Sequence, residues 1–211
     1  MHHLSSTDSA PRLRIAEPMS EKRGRTRYNI TRAARELAAA KGYDEFTLEE
    51  LAERAGVSRR TLFNYFDGKL TATLGGGPQL AQSDVDTFLA GGPTGEFIDD
   101  VAALALGVLR ATSELPLQRD DWVIARRCFE VNPKLMIAAQ QQFEGFGEGI
   151  VELLAKRSGI PADDPRHRLL IAVLGSTFHV ALHQFSSGED NREIPDIFLD
   201  DLKTIRQLFG C

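Results

Sequence analysis

Between Thr26 and Ala40 the apolar positions Ile30, Ala33, Ala34, Leu37 and Ala38 recur at i, i+3, i+4, i+7 and i+8, which is one face of a helix. Gly42 follows as a left-handed stop. The run Thr47-Leu48-Glu49-Glu50 places a capping hydroxyl three residues before a carboxylate, and Leu48, Leu51, Ala52 and Ala55 then share a face, so a short second helix is predicted. Gly56 breaks it and Ser58 caps a third through Asn64. Two short helices joined by a glycine turn make a helix-turn-helix, with Leu48, Leu51, Ala52, Val57, Leu62 and Phe66 as its small core. After Lys69, Gly75-Gly76-Gly77-Pro78 and Gly91-Gly92-Pro93 interrupt the pattern. The helical period then returns in Phe97 to Val108, Trp122 to Phe129, Met136 to Leu154, Leu169 to Phe185 and Ile197 to Phe209, and no strand period of two is sustained. The prediction is an all-α chain of nine or ten helices. A flexible tail spans 1–20, a small basic three-helix bundle spans 21–69 and a larger acidic helical bundle spans 70–211.

The chain has 211 residues, 42% hydrophobic and 26% charged, enough to bury a core. No run of about 18 consecutive apolar residues is present, so a membrane span is not expected, and no secretory start is visible. The two cysteines, Cys128 and Cys211, form no disulfide framework or metal spacing, which fits a cytoplasmic setting, and Cys128 reads as packing. The net charge of −5 hides an asymmetry. Residues 21–69 hold 11 Lys or Arg against 8 Asp or Glu, a balance of +3, while the remaining 14 basic and 22 acidic residues carry −8. The basic groups crowd the front, from Arg12 to Arg35, as an electropositive arm suited to phosphate contacts through counterion release.

Residues Thr47 to Phe66, read as Thr-Leu-Glu-Glu-Leu-Ala-Glu-Arg-Ala-Gly-Val-Ser-Arg-Arg-Thr-Leu-Phe-Asn-Tyr-Phe with Lys69 just beyond, resemble the DNA-binding signature of the TetR/AcrR family of bacterial transcription regulators. The resemblance covers roughly residues 25–70. It implies that Ser58, Arg59, Arg60, Thr61 and Phe63, with Asn64 beside them, face the major groove, that Tyr65 and Lys69 hold phosphates, and that Arg25 and Arg27 of the basic arm join the interface. Their chemistry agrees: arginine donates twice to guanine, methyl and phenyl groups pack on thymine, and hydroxyl or ammonium groups suit phosphate oxygens. Thr47 offers a backbone N–H and a hydroxyl at a helix start, where a phosphate can dock. The family usually carries tyrosine where Phe63 stands, so that phenol's bond is absent.

For residues 70–211 the resemblance implies a divergent effector domain and a homodimer. Phe97, Leu104, Val108, Trp122, Phe129, Phe143, Phe146, Phe178 and His179 are the candidate pocket residues for a small apolar or amphipathic effector, acyl-CoA-like molecules being one class that fits. Helices near Arg166–Phe185 and Asp196–Phe209 are the expected dimer pair. Two copies are required to read a palindromic double-stranded operator, since the recognition helices must reach grooves about 34 to 36 Å apart. The expected function is a ligand-responsive repressor that needs no cofactor and is not an enzyme. The alternative is a helical metal protein or enzyme built on His179 and His183, spaced i, i+4 as in a zinc pair but with Val180 where a zincin has its glutamate.

Overall fold

A computed structural model describes residues 13–112, 118–190 and 192–209 of the chain; Cys211 and positions 1–12 of the predicted tail lie outside these. The described residues form ten α-helices: α1 Glu21–Lys41, α2 Leu48–Arg54, α3 Arg59–Phe63, α4 Lys69–Leu74, α5 Gln82–Leu89, α6 Phe97–Thr112, α7 Arg119–Glu130, α8 Pro133–Ser158, α9 Pro165–Ser187 and α10 Ile194–Phe209. One isolated parallel bridge joins Ile15 to Leu80. The all-α expectation therefore holds for the described residues.

α1 begins at Glu21, five residues before the apolar period predicts. Lys22, Arg23, Arg25 and Arg27 of the basic cluster thus lie in the first two turns of a helix. Gly24 is buried there and Arg25 pairs with Glu21 one turn back at 3.0 Å. Residues 13–20, expected to be flexible, are instead held. The Ala16 amide donates to the Leu80 carbonyl at 2.7 Å, and the Leu80 amide donates to the Arg14 carbonyl at 2.9 Å.

Three apolar clusters organise the molecule. The first gathers Ile30, Ala34 and Ala38 of α1 with Phe46, Leu51, Leu62 and Phe66, and adds Cys128 of α7 and Leu135 of α8. The helix-turn-helix thus shares its core with the rest of the chain. The second holds Leu80, Val85, Phe88, Val101, Leu104 and Phe146, with Leu13 packed against it. The third joins α9 and α10 through Ala181, Phe185, Ile197 and Phe198, with Trp122 and Phe178 against it.

α1 lies along α7 in the same direction, and polar groups fasten it at four levels. Tyr28 donates to Asp121 at 2.7 Å and Arg32 pairs with the same carboxylate. The Arg35 guanidinium lies 5.9 Å from the centre of the Phe129 ring and donates to the carbonyls of Thr73 and Leu74 at the end of α4. Asn132 donates to the carbonyls of Ala38 (3.1 Å) and Cys128 (2.7 Å) and accepts from the Tyr43 amide at 2.7 Å. Lys134 pairs with Asp44 at 2.6 Å. Burial raises the Tyr28 phenol, as does its bond to Asp121, and burial pulls the Arg35 guanidinium below its ordinary value.

Candidate nucleic-acid interface

The short helices α2 and α3 form because each is capped by its own sequence. Thr47 accepts from the Glu50 amide at 3.1 Å while the Glu50 carboxylate accepts from the Thr47 amide at 2.8 Å. Ser58 accepts from the Thr61 amide at 3.0 Å. Between them Gly56 takes φ +67°, a left-handed turn that brings the Val57 amide to the Ala52 carbonyl at 2.9 Å. Leu62, fully buried, then pins α3 on the first cluster. The opposite face of α3 is left to solvent: Ser58, Arg59, Arg60, Phe63 and Asn64 are exposed, with Phe63 at 44%. An exposed phenyl ring beside Arg59, with Arg60 exposed on the same short helix, is a surface that matches base edges and thymine methyls.

The predicted interface residues divide into three groups. Arg60 is exposed and makes no ion pair with a described residue. Arg59 pairs with Glu49 and lies 5.7 Å from the Phe63 ring centre; both charges are about 60% exposed, so the pair is weak and Arg59 is available to a stronger acceptor. Arg25 is likewise exposed beside Glu21.

A second group is turned inward. Lys69 donates to the Phe46 carbonyl at 2.8 Å and stands 4.7 and 4.6 Å over the Tyr43 and Phe46 rings. Arg27 lies 4.7 Å over the Phe66 ring. These two cations therefore stitch the three-helix unit together, a role their sequence position did not reveal. Thr47 differs in another way. Its amide and hydroxyl, both expected to meet phosphate, are engaged by Glu50, itself paired with Lys41 at 2.7 Å. Lys41 and then the Thr47 amide hold the Glu50 carboxyl below its ordinary value. Thr61 and Tyr65 are the third group, half-buried, with Arg23 stacked 5.8 Å from the Tyr65 ring.

Residues Ile30 to Lys69, with one residue beyond, match the family model described as bacterial regulatory proteins, tetR family (residues 30–70). The chain is 28% identical over 188 residues to the HTH-type transcriptional regulator TcmR of Streptomyces glaucescens, covering 85% of this chain and 79% of that protein. Residues 30–70 therefore carry the DNA-binding segment of the TetR family of bacterial regulatory proteins, and the rest of the chain is similar in sequence to a regulator of transcription. Similar solved structures include NalD, the secondary repressor of the MexAB-OprM multidrug efflux pump in Pseudomonas aeruginosa, at 18% identity and a TM-score of 0.44 (89% of this chain, 97% of that one). A TetR transcriptional regulator from Rhodococcus sp. RHA1 aligns at 21% identity and a TM-score of 0.38 (90% and 97%).

The nine candidate effector residues do not line one pocket. Phe97, Leu104, Val108 and Phe146 meet in the second cluster, Trp122 and Phe178 in the third, and Phe129 in the first. Phe143 is 57% exposed and His179 is exposed, so neither lines an interior site. The reason is geometric, since an apolar period identifies a helix face but not which neighbour covers it. Leu104 alone of the nine borders a surface depression of about 210 Å³, between Asp84, Phe88, Asp100 and Arg110. A second depression of about 350 Å³ borders Val123, Arg126, Arg127, Glu130, Val131 and Ser186. His179 and His183 share the outer face of α9, and among the described residues no third ligand-forming side chain joins them, so the metal alternative is not carried forward.

α9 is the one described helix long and apolar enough to cross a membrane, with a mean hydropathy of 1.4, yet only 17% of that stretch is buried. Leu169, Val173 and Val180 are 64%, 43% and 48% exposed along one side of it.

Proposed function

We propose that the chain is a cytoplasmic, homodimeric repressor that binds a palindromic operator and is released by a small apolar or amphipathic effector. The observation that carries the reading is the solvent face of α3, where capped and buried backbone presents Arg59, Arg60 and Phe63 outward. Residues 21–69 then serve as the DNA-binding unit and 70–211 as the effector and dimer unit. Arg60 is assigned to a base edge, Arg59 and Phe63 to the groove beside it, and Arg25 to phosphate. Arg27 and Lys69 are assigned to holding the unit's shape. The exposed stripe Leu169, Val173 and Val180 on α9 supports pairing with a second copy, whose burial removes an apolar surface from water and sets two recognition helices a fixed distance apart. An effector then acts by favouring a conformation with the wrong spacing, and linkage requires DNA to weaken effector binding by the same factor.

The test is selection of bound duplexes from a random pool by the full chain, followed by titration of the enriched sequence. A two-fold symmetric site bound by dimers supports the reading. Binding without any enriched sequence, or binding by monomers, overturns it.

A further inference from the structure

We propose that residues 13–16 are an internal strap that occupies the apolar slot of the effector unit, so that an aliphatic ligand must displace the protein's own N-terminal arm to enter. The evidence starts from a glycine. Gly149 lies in the interior of the 26-residue helix α8, where alanine is the better helix former. A Cβ at position 149 would stand 2.8 Å from the Leu13 amide nitrogen and 2.9 Å from its Cα, so the missing side chain is what lets the arm cross α8 in contact. Gly145 and Gly147, in the same stretch, have open space where a Cβ would go. The crossing is a built passage at one position only.

From there Leu13 enters the second cluster beside Leu80 and Phe146. The strap is fastened by the Ile15–Leu80 bridge and its two backbone hydrogen bonds of 2.7 and 2.9 Å, to a leucine that is itself fully buried. This is the cluster that gathers Phe97, Leu104 and Val108, the largest group of predicted effector residues brought together. An aliphatic chain offers the same chemistry as the Leu13 side chain and would take its place against the second cluster. Five residues after Ala16 the chain enters α1, so the strap leads directly into the helix that carries the DNA-binding unit.

The inference rests on the effector reading of residues 70–211, and its test separates the two. In the full chain, Gly149→Ala drives a methyl group into Leu13 while improving the helix, and Gly145→Ala makes the same change in open space as the control. Hydrogen exchange at the Ala16 and Leu80 amides and tryptic cleavage after Arg14 report the strap. Fluorescence titration with a dansyl-tagged undecanoic acid reports the slot. Gly149→Ala is expected to speed exchange and cleavage at least tenfold and to tighten probe binding at least tenfold, with Gly145→Ala matching the unsubstituted chain on all three. Unchanged exchange and cleavage in Gly149→Ala would overturn the strap itself. A released strap with unchanged probe affinity would overturn its gating role, and the operator selection described above stands or fails independently of either.

Discussion

Asn132 sits 7% exposed at the joint between α7 and α8, and its amide is the fastening that holds the far end of α1 to the body. Asn132→Ala removes three hydrogen bonds at once. The Tyr43 amide loses its acceptor, and the Cys128 carbonyl loses its 2.7 Å donor, while the Ala38 carbonyl keeps the Gly42 amide at 3.0 Å. One donor left unpaired costs about 1 to 3 kcal/mol and each ordinary bond lost about 1 kcal/mol, so the expected destabilisation is about 3 kcal/mol. For a chain of this size that corresponds to a fall in Tm of roughly 6 to 12 °C. Asn132→Asp sharpens the test, because a carboxylate still accepts from Tyr43 but faces two carbonyls it cannot bond. The burial of that charge raises its folded pKa above the unfolded value, so the variant's deficit is smallest in acid and grows as pH rises through the folded pKa. Calorimetry and urea unfolding at pH 7 measure both variants against the parent. A loss below about 1 kcal/mol in the alanine variant would refute the assignment of Asn132 as the fastening of α1 to α7.

Four further outcomes follow from the same geometry. Arg60→Ala is expected to cost about 1 to 3 kcal/mol on the selected operator and little on random duplex, measured by fluorescence anisotropy; equal losses on both would demote Arg60 to a phosphate contact. Leu169→Glu, placing a charge in the exposed stripe of α9, is expected to yield monomers by light scattering and to abolish operator binding, and a stable dimer would move the subunit contact elsewhere. Burial pushes the Cys128 thiol up to about 11, so iodoacetamide at pH 8 is expected to leave the Cys128 peptide unlabelled in the folded chain; rapid labelling would place that thiol in solvent. Burial alone would raise the Asp100 carboxyl, but Arg157 and Thr94 outweigh it and hold it at about 2, below its ordinary 3.8. That contribution is complete above about pH 4 and is lost as pH falls toward 2, so Asp100→Asn is expected to flatten the acid limb of the stability curve over that window.

The helix-turn-helix was legible because its signals are local. Thr47 and Glu50 cap each other, Ser58 caps Thr61, and Gly56 takes the one turn it suits, all within a few residues. The start of α1 was not legible, since Lys22 to Arg27 carry no apolar period. The strap was hidden for a related reason. Leu13 and Ile15 make too short a run to read as structure, and their partners, Leu80 and Gly149, stand far along the chain. Gly149 weakens a long helix for no local reason, but so do Gly145 and Gly147 in the same helix, and sequence alone does not single it out.

The candidate pocket residues are spread over three clusters, and α9 shows why sequence grouped them. Its inner side buries Thr177, Ala181 and Phe185, while Leu169, Val173 and Val180 are apolar on the other side. A helix that is apolar most of the way round has to be covered from two directions, and a single copy of this chain covers α9 from one. From sequence, residues on the two sides look alike, so Phe178, which packs inside, and His179, which faces out, were assigned to one site although they are adjacent on the chain. A charge on the inner side, as in Ala181→Glu, would unfold the α9–α10 pair, whereas the same charge at Val173 would leave the fold intact and act only on pairing between copies.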